Sequence, residues 1–117
     1  MDKFKVIIES FDEKKVYNCV GEHHERGFYL DKFNFIVLSS DALMIENTIP
    51  VNNKIPLKLN KKLSFKYNSM YGIMNLESKL FEFKFNENYL YLVYELYNNE
   101  QIIGKYKVEL SRKSVMN

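Results

Sequence analysis

Cys19, His23, His24 and Glu25 crowd into one short stretch and invite a metal-site reading. Zn²⁺ takes thiolate, imidazole and carboxylate ligands, usually four in a structural site. The spacing matches no established signature, and no second cluster completes a tetrahedron. The stretch therefore reads as a polar loop with two adjacent histidines, and no metal or cofactor is expected. Cys19 as a nucleophile would need a neighbouring base, for which His23 on a bent strand is the candidate, and a depressed pKa. A small apolar core residue is the plainer role. Asp41, Glu46, Glu82 and Glu95 are the carboxylates within or beside apolar runs. Two carboxylates can do acid–base work where their surroundings push their pKa values apart. Glu82 alternates outward beside Lys84, and Glu95 lies within hairpin reach of Lys105 or Lys107, so surface pairing is expected. No catalytic constellation emerges, and the chain reads as a non-enzyme.

The aromatic residues say more. Phe33, Phe35, Phe65, Tyr67, Tyr71, Phe81, Phe83, Phe85, Tyr94 and Tyr106 fall on or beside segments that alternate apolar with polar. A small barrel is either filled by such side chains or holds one small ligand. Interior tyrosines need partners for their hydroxyls: one another, Ser69, Ser78, water or a bound molecule. A filled core and a pocket floored by Tyr67, Tyr94 and Tyr106 both fit. Tyr67, Tyr71, Tyr94 and Tyr106 are the candidate ligand-binding residues, for a small apolar or aromatic ligand.

Those residues are positioned by strands. Strict alternation marks a strand with one face buried and one wet. Between Leu63 and Leu110 it recurs in Leu63-Phe65-Tyr67, Met74-Leu76, Phe81-Phe83-Phe85, Leu90-Leu92-Tyr94-Leu96 and Tyr106-Val108-Leu110. Asn68–Gly72 breaks the run, Asn86-Glu87-Asn88 is a turn, and Asn98-Asn99-Glu100 closes a hairpin, since Asn tolerates positive φ. The strand Tyr89–Tyr97 is apolar or aromatic on both faces except at Glu95. Its outer face is a second candidate surface, for a partner or a homodimer.

The first half adds further strands. Phe4, Val6 and Ile8 alternate; Phe11–Lys15 is a polar turn; Val16–Val20 pairs back. Gly21–Gly27 (GEHHERG) reads as a loop or strongly bent connection. Phe28–Leu30 and Phe33–Leu38 flank a turn at Asp31-Lys32, and Leu43–Ile45 follows Ser39-Ser40-Asp41. Pro50 and Pro56 confine Val51–Ile55 to an edge or loop, because proline cannot donate to a central ladder. Leu57 and Leu59 lead to Asn60-Lys61, and the chain is expected to fray from Ser111 on. About eight to nine short strands with turns between them predict an all-β fold. A single antiparallel meander barrel is favoured, because sequential strands tend to be neighbours and closure removes edges.

The 117 residues make one domain, expected over residues 1–111 with a frayed tail at 112–117. With 46% hydrophobic and 27% charged residues, disorder is not expected. No apolar run is long enough for a membrane span, and the first residues lack a signal-like apolar segment. One cysteine forms no internal disulfide, which fits a reducing cytoplasm. A net charge of +2, carried almost wholly by lysine, is too small for a nucleic-acid footprint. Lysines and aromatics also alternate onto opposite faces, whereas a base-stacking platform needs both on one.

Tyr67-Asn68-Ser69-Met70-Tyr71-Gly72, then Leu76-Glu77-Ser78, then Tyr94-Glu95-Leu96 before a hairpin and a trailing Gly104, carry a pattern that resembles the YwiB-like family. The resemblance covers Lys58 to Leu110 well and the first half loosely. It implies a bacterial, lipocalin-like (calycin-type) β-barrel, with no settled reaction and no catalytic residues to carry over. The family's Arg-Gly step before the Tyr-x-Thr strand is not evident around Leu59–Leu63, which leaves an incomplete or flattened barrel open. The expected function is a small-molecule-binding module; the alternative is an interaction or structural module with a filled barrel, associating through the Tyr89–Tyr97 face.

Overall fold

A computed structural model gives the structure of the protein over residues 1–47 and 52–113. Ten strands run through it: β1 (Asp2–Ser10), β2 (Glu13–His24), β3 (Gly27–Leu30), β4 (Phe33–Ser39), β5 (Ala42–Asn47), β6 (Asn53–Lys58), β7 (Lys62–Ser69), β8 (Gly72–Asn86), β9 (Tyr89–Asn98) and β10 (Gln101–Arg112). They form one sheet in the order β6-β5-β4-β3-β2-β1-β10-β9-β8-β7. Every named pair is antiparallel, so the meander is continuous once β1 has zipped against β10. β6 and β7 are the two ends of the sheet, although they are consecutive in sequence. Pro56 thus sits on an edge strand, as its missing N–H requires. Pro50 and Val51 lie outside the described residues.

The sheet rolls until its ends meet, and the seam is closed by side chains instead of a ladder. The Asn53 carboxamide donates to the Asn68 carbonyl (3.0 Å) and accepts from the Asn68 N–H (2.7 Å). It stands in for a strand residue. Further along, the Ser78 hydroxyl donates to the Pro56 carbonyl, and Leu59 forms a lone parallel bridge to Leu80. The result is a nearly closed barrel, ten strands in place of the expected eight or nine.

Local chemistry explains three departures from the alternation pattern. The runs Ile73–Lys79 and Phe81–Phe85 are one strand, β8, with a bulge at Phe81 where the register steps from Leu80↔Tyr94 to Glu82↔Val93. One extra residue reverses the inward phase, from Leu76, Ser78 and Leu80 before it to Phe83 after it. The loop or strongly bent connection expected over Gly21–Gly27 is a tight hairpin, and its loop alternative is corrected. Gly21–His24 completes β2 and Gly27 opens β3, leaving only Glu25-Arg26 as the turn. Gly27 has a φ of 137°, and a Cβ there would overlap the Phe35 carbonyl. The glycine is present for close backbone approach, not for looseness. The chain also stays ordered past Leu110: Ser111 and Arg112 pair with Lys5 and Phe4, and the Arg112 guanidinium lies 3.1 Å from the Asp2 carboxylate. Residues 114–117 of the expected tail lie outside the described residues.

The turns after β2, β4, β6 and β8 gather at one end of the barrel, and those after β1, β3, β7 and β9 at the other. The first end is solid. Phe4, Phe28, Leu43, Leu57, Leu80, Leu90, Leu92 and Leu110 are fully buried there. Burying each such side chain is worth about 1.5–3 kcal/mol.

Candidate functional site

The other end is hollow. Inward positions of β2, β4, β7, β9 and β10 bring Tyr17, Phe33, Phe35, Tyr67, Tyr94 and Tyr106 around a cavity of about 320 Å³. Its wall includes the seam residue Asn53, so the site and the barrel closure share a side chain. Glu13 and Lys15 are the charged residues of the lining; both lie on β2 near the rim, are exposed, and balance each other. The deeper lining is apolar, phenolic or carboxamide.

Three of the four tyrosines expected to bind ligand meet here. Tyr94 and Tyr106 stack, with ring centroids 5.1 Å apart and planes 25° from parallel. Gly104 makes that possible, because a Cβ at this position would come within 2.6 Å of the Tyr106 hydroxyl. Burial pushes the Tyr94 phenol well above its ordinary pKa, and the neighbouring Tyr106 and Tyr67 add to the shift. The Tyr106 phenol rises too, from burial first and then Tyr67. Both stay neutral, so each hydroxyl can donate and accept one bond. The carboxamides of Asn47 and Asn53 line the same cavity as the Tyr67, Tyr94 and Tyr106 phenols. Tyr94 is buried and Tyr67 and Tyr106 are half-buried on the cavity wall, where their hydroxyls can bond a guest or water.

Tyr71 is a correction. It sits in the Met70-Tyr71 turn between β7 and β8 and is 95% exposed, since a turn residue at a hairpin tip has no inward face. Tyr17 was not singled out in the sequence, although it lines the cavity. The alternation of β2 is blurred by Val16 and Val20, which face outward and are 49% and 41% exposed.

The remaining candidates disperse. Cys19 is buried in the core, and burial, with Asp31 adding, pushes its thiol up, away from the thiolate a nucleophile needs. The His24 Nε2 lies 3.0 Å from the Glu22 carboxylate on the surface, while the His23 ring packs 4.9 Å from Phe28. Among the described residues no three His, Cys, Asp or Glu side chains are placed to share a metal ion. The carboxylates have separate partners. Asp41 takes a 2.6 Å bond from Ser39, which with Lys58 holds its carboxyl below the usual range. Glu46 stands opposite Lys54 in register, and Glu82 accepts from the Tyr91 hydroxyl at 3.0 Å. Glu95 accepts from Tyr97 at 2.6 Å, with the Lys105 ammonium at 3.9 Å. The outer face of β9 is partly covered by the chain itself: Lys62 lies over the Tyr97 ring and Lys107 over Tyr91.

A meander packed solid at one end and lined with phenols at the other defines an all-β, antiparallel, nearly closed barrel with a candidate ligand cavity. The chain belongs to the family described as Domain of unknown function (DUF1934), which it matches over residues 22–110. It is similar in structure to the YwiB protein from Bacillus subtilis, with a TM-score of 0.56 and 12% sequence identity over 96% of this chain and 89% of that one. At that identity the likeness carries the fold alone. No protein of curated function matches.

Proposed function

We propose that the protein is a non-enzymatic binding module of the bacterial cytoplasm that holds one small, uncharged, flat ligand in the hollow end of its barrel. The observation that carries this reading is the convergence of Tyr67, Tyr94 and Tyr106 on the cavity, two of them with stacked rings. A cavity of about 320 Å³ is at the small end for ligand sites and suits about one or two fused rings. Stacked phenols favour a planar guest, whose polar edge would satisfy the hydroxyls. Glu13 and Lys15 oppose each other in sign at the rim, so a net charge on the guest would gain little. The lone buried thiol fits a reducing compartment.

The test is a thermal-shift screen of the purified chain against matched neutral, anionic and cationic aromatic compounds, followed by titration calorimetry on the hits. Neutral bicyclic compounds should bind best. Tyr94→Phe and Tyr67→Phe should each weaken a hit by roughly two- to tenfold, the worth of one hydrogen bond, while the fold is kept. Hits whose affinity is indifferent to both substitutions would sink the proposal.

A further inference from the structure

β2 enters the barrel with its polarity inverted. Val16 faces outward and is exposed, whereas Glu13 and Lys15, in phase with Tyr17, line the cavity. Inward positions of a strand ordinarily carry apolar side chains, and charges placed there without a structural return point to function. Among the described residues neither Glu13 nor Lys15 takes part in an ion pair.

The strand register ties these charges to the phenols. Glu13 stands opposite Ser10, Ser10 opposite Tyr106, and Tyr106 opposite Tyr94. One row of polar side chains thus crosses β2, β1, β10 and β9, from the rim to the stacked rings. Lys15 lies in the next row, beside Ile8 and Val108. Two residues apart on one face of a strand puts the Glu13 and Lys15 Cα atoms roughly 7 Å from each other. Their charged heads can therefore meet neighbouring atoms along a single ring edge. A carboxylate only accepts, and its two oxygens suit two parallel N–H donors; an ammonium only donates.

Resting on the binding-module reading above, we propose that the guest is a fused bicyclic heteroaromatic with the amino-oxo-pyrimidine edge that guanine and pterin share. That edge offers donor, donor and acceptor in sequence, and β2 offers the complement. The Glu13 carboxylate accepts from the exocyclic amino group and the ring N–H, and the Lys15 ammonium donates to the adjoining carbonyl. Such a guest is flat and uncharged, so it gains from both rim charges where a net charge would not. The ring nitrogens of its second ring face inward, toward hydroxyls that can donate to them.

The test is titration calorimetry of the full chain with 9-methylguanine and pterin. The comparison set is 9-methylhypoxanthine, which lacks the amino group, 9-methyladenine, which reverses the edge, and quinoline, which has none. The two edge-bearing compounds should bind roughly tenfold more tightly than the rest, and the tighter of the two names the ring system. Glu13→Gln exchanges one acceptor for a donor and should erase the preference for 9-methylguanine over 9-methylhypoxanthine. Lys14→Gln, at the neighbouring outward position, should keep it. Quinoline binding as tightly as 9-methylguanine, or a preference that survives Glu13→Gln, overturns this assignment and leaves the binding-module reading standing. A chain that binds none of these compounds overturns the assignment, and one that binds nothing in the wider aromatic screen overturns both.

Discussion

Glu95 and Tyr97 occupy the outward face of β9, yet both are buried, and their 2.6 Å bond is the most enclosed side-chain pair described. Burial pushes the Tyr97 phenol from 10.0 to about 12, and the bond to Glu95 and that group's charge add to the shift. The native state therefore keeps this proton at a pH where the unfolded chain has lost it. The stability it confers is complete below pH 10.0 and drains away as pH rises toward about 12. Tyr97→Phe should lower stability near neutral pH, because Glu95 loses a donor, and should flatten the alkaline decline. Denaturant unfolding followed by circular dichroism across pH 8–12 checks this; an alkaline slope equal to that of the wild type would contradict it. The shared burial of the pair was not legible in the sequence. Alternation placed Glu95 outward and near Lys105, which holds, but it carries no information on what lies over a strand. Here the cover comes from Lys62, which is distant in the chain and sits 4.4 Å from the Tyr97 ring.

Among the elements, the inward phase of β1, β7 and β10 was legible, because a register slip would turn every apolar side chain to solvent: Phe4, Val6, Val108 and Leu110 are buried and Leu63, Phe65 and Tyr67 half-buried. Where the period breaks, a local reading fails for a physical reason. The bulge at Phe81 makes one strand look like two. Gly21 and Gly27 look like loop glycines, because a sequence does not distinguish freedom from close approach. Gly27→Ala tests the second point: positive φ and the Phe35 carbonyl together should cost at least about 3 kcal/mol in urea unfolding, and a loss under 1 kcal/mol would mean a loop that yields. The seam gives a companion prediction. Asn53→Ala removes both bonds to Asn68 and should cost about 1–3 kcal/mol, with faster hydrogen exchange at the Asn68 amide. Unchanged exchange there would show that the β6–β7 seam closes without the carboxamide.

At the scale of the whole molecule, the filled barrel and the pocket that the aromatic set left open are both present, one at each end. Large aliphatic side chains fill the end toward the β8–β9 turn, and rings spaced by Gly104 leave room toward the β9–β10 turn. Tyr67, Tyr94 and Tyr106 line the cavity because they fall in phase with strand interiors. Tyr71 does not, because a motif residue in a turn has no phase. The hollow end binds a guest in this account.

The measurement that bears most directly on the account is native mass spectrometry of the chain, purified gently from its own cells and compared with its denatured mass. A reproducible small-molecule adduct on the native chain, absent after denaturation and diminished by Tyr94→Phe, is the predicted result. A bare native mass for the wild type, with no compound of the neutral aromatic panel raising its melting temperature, would contradict it.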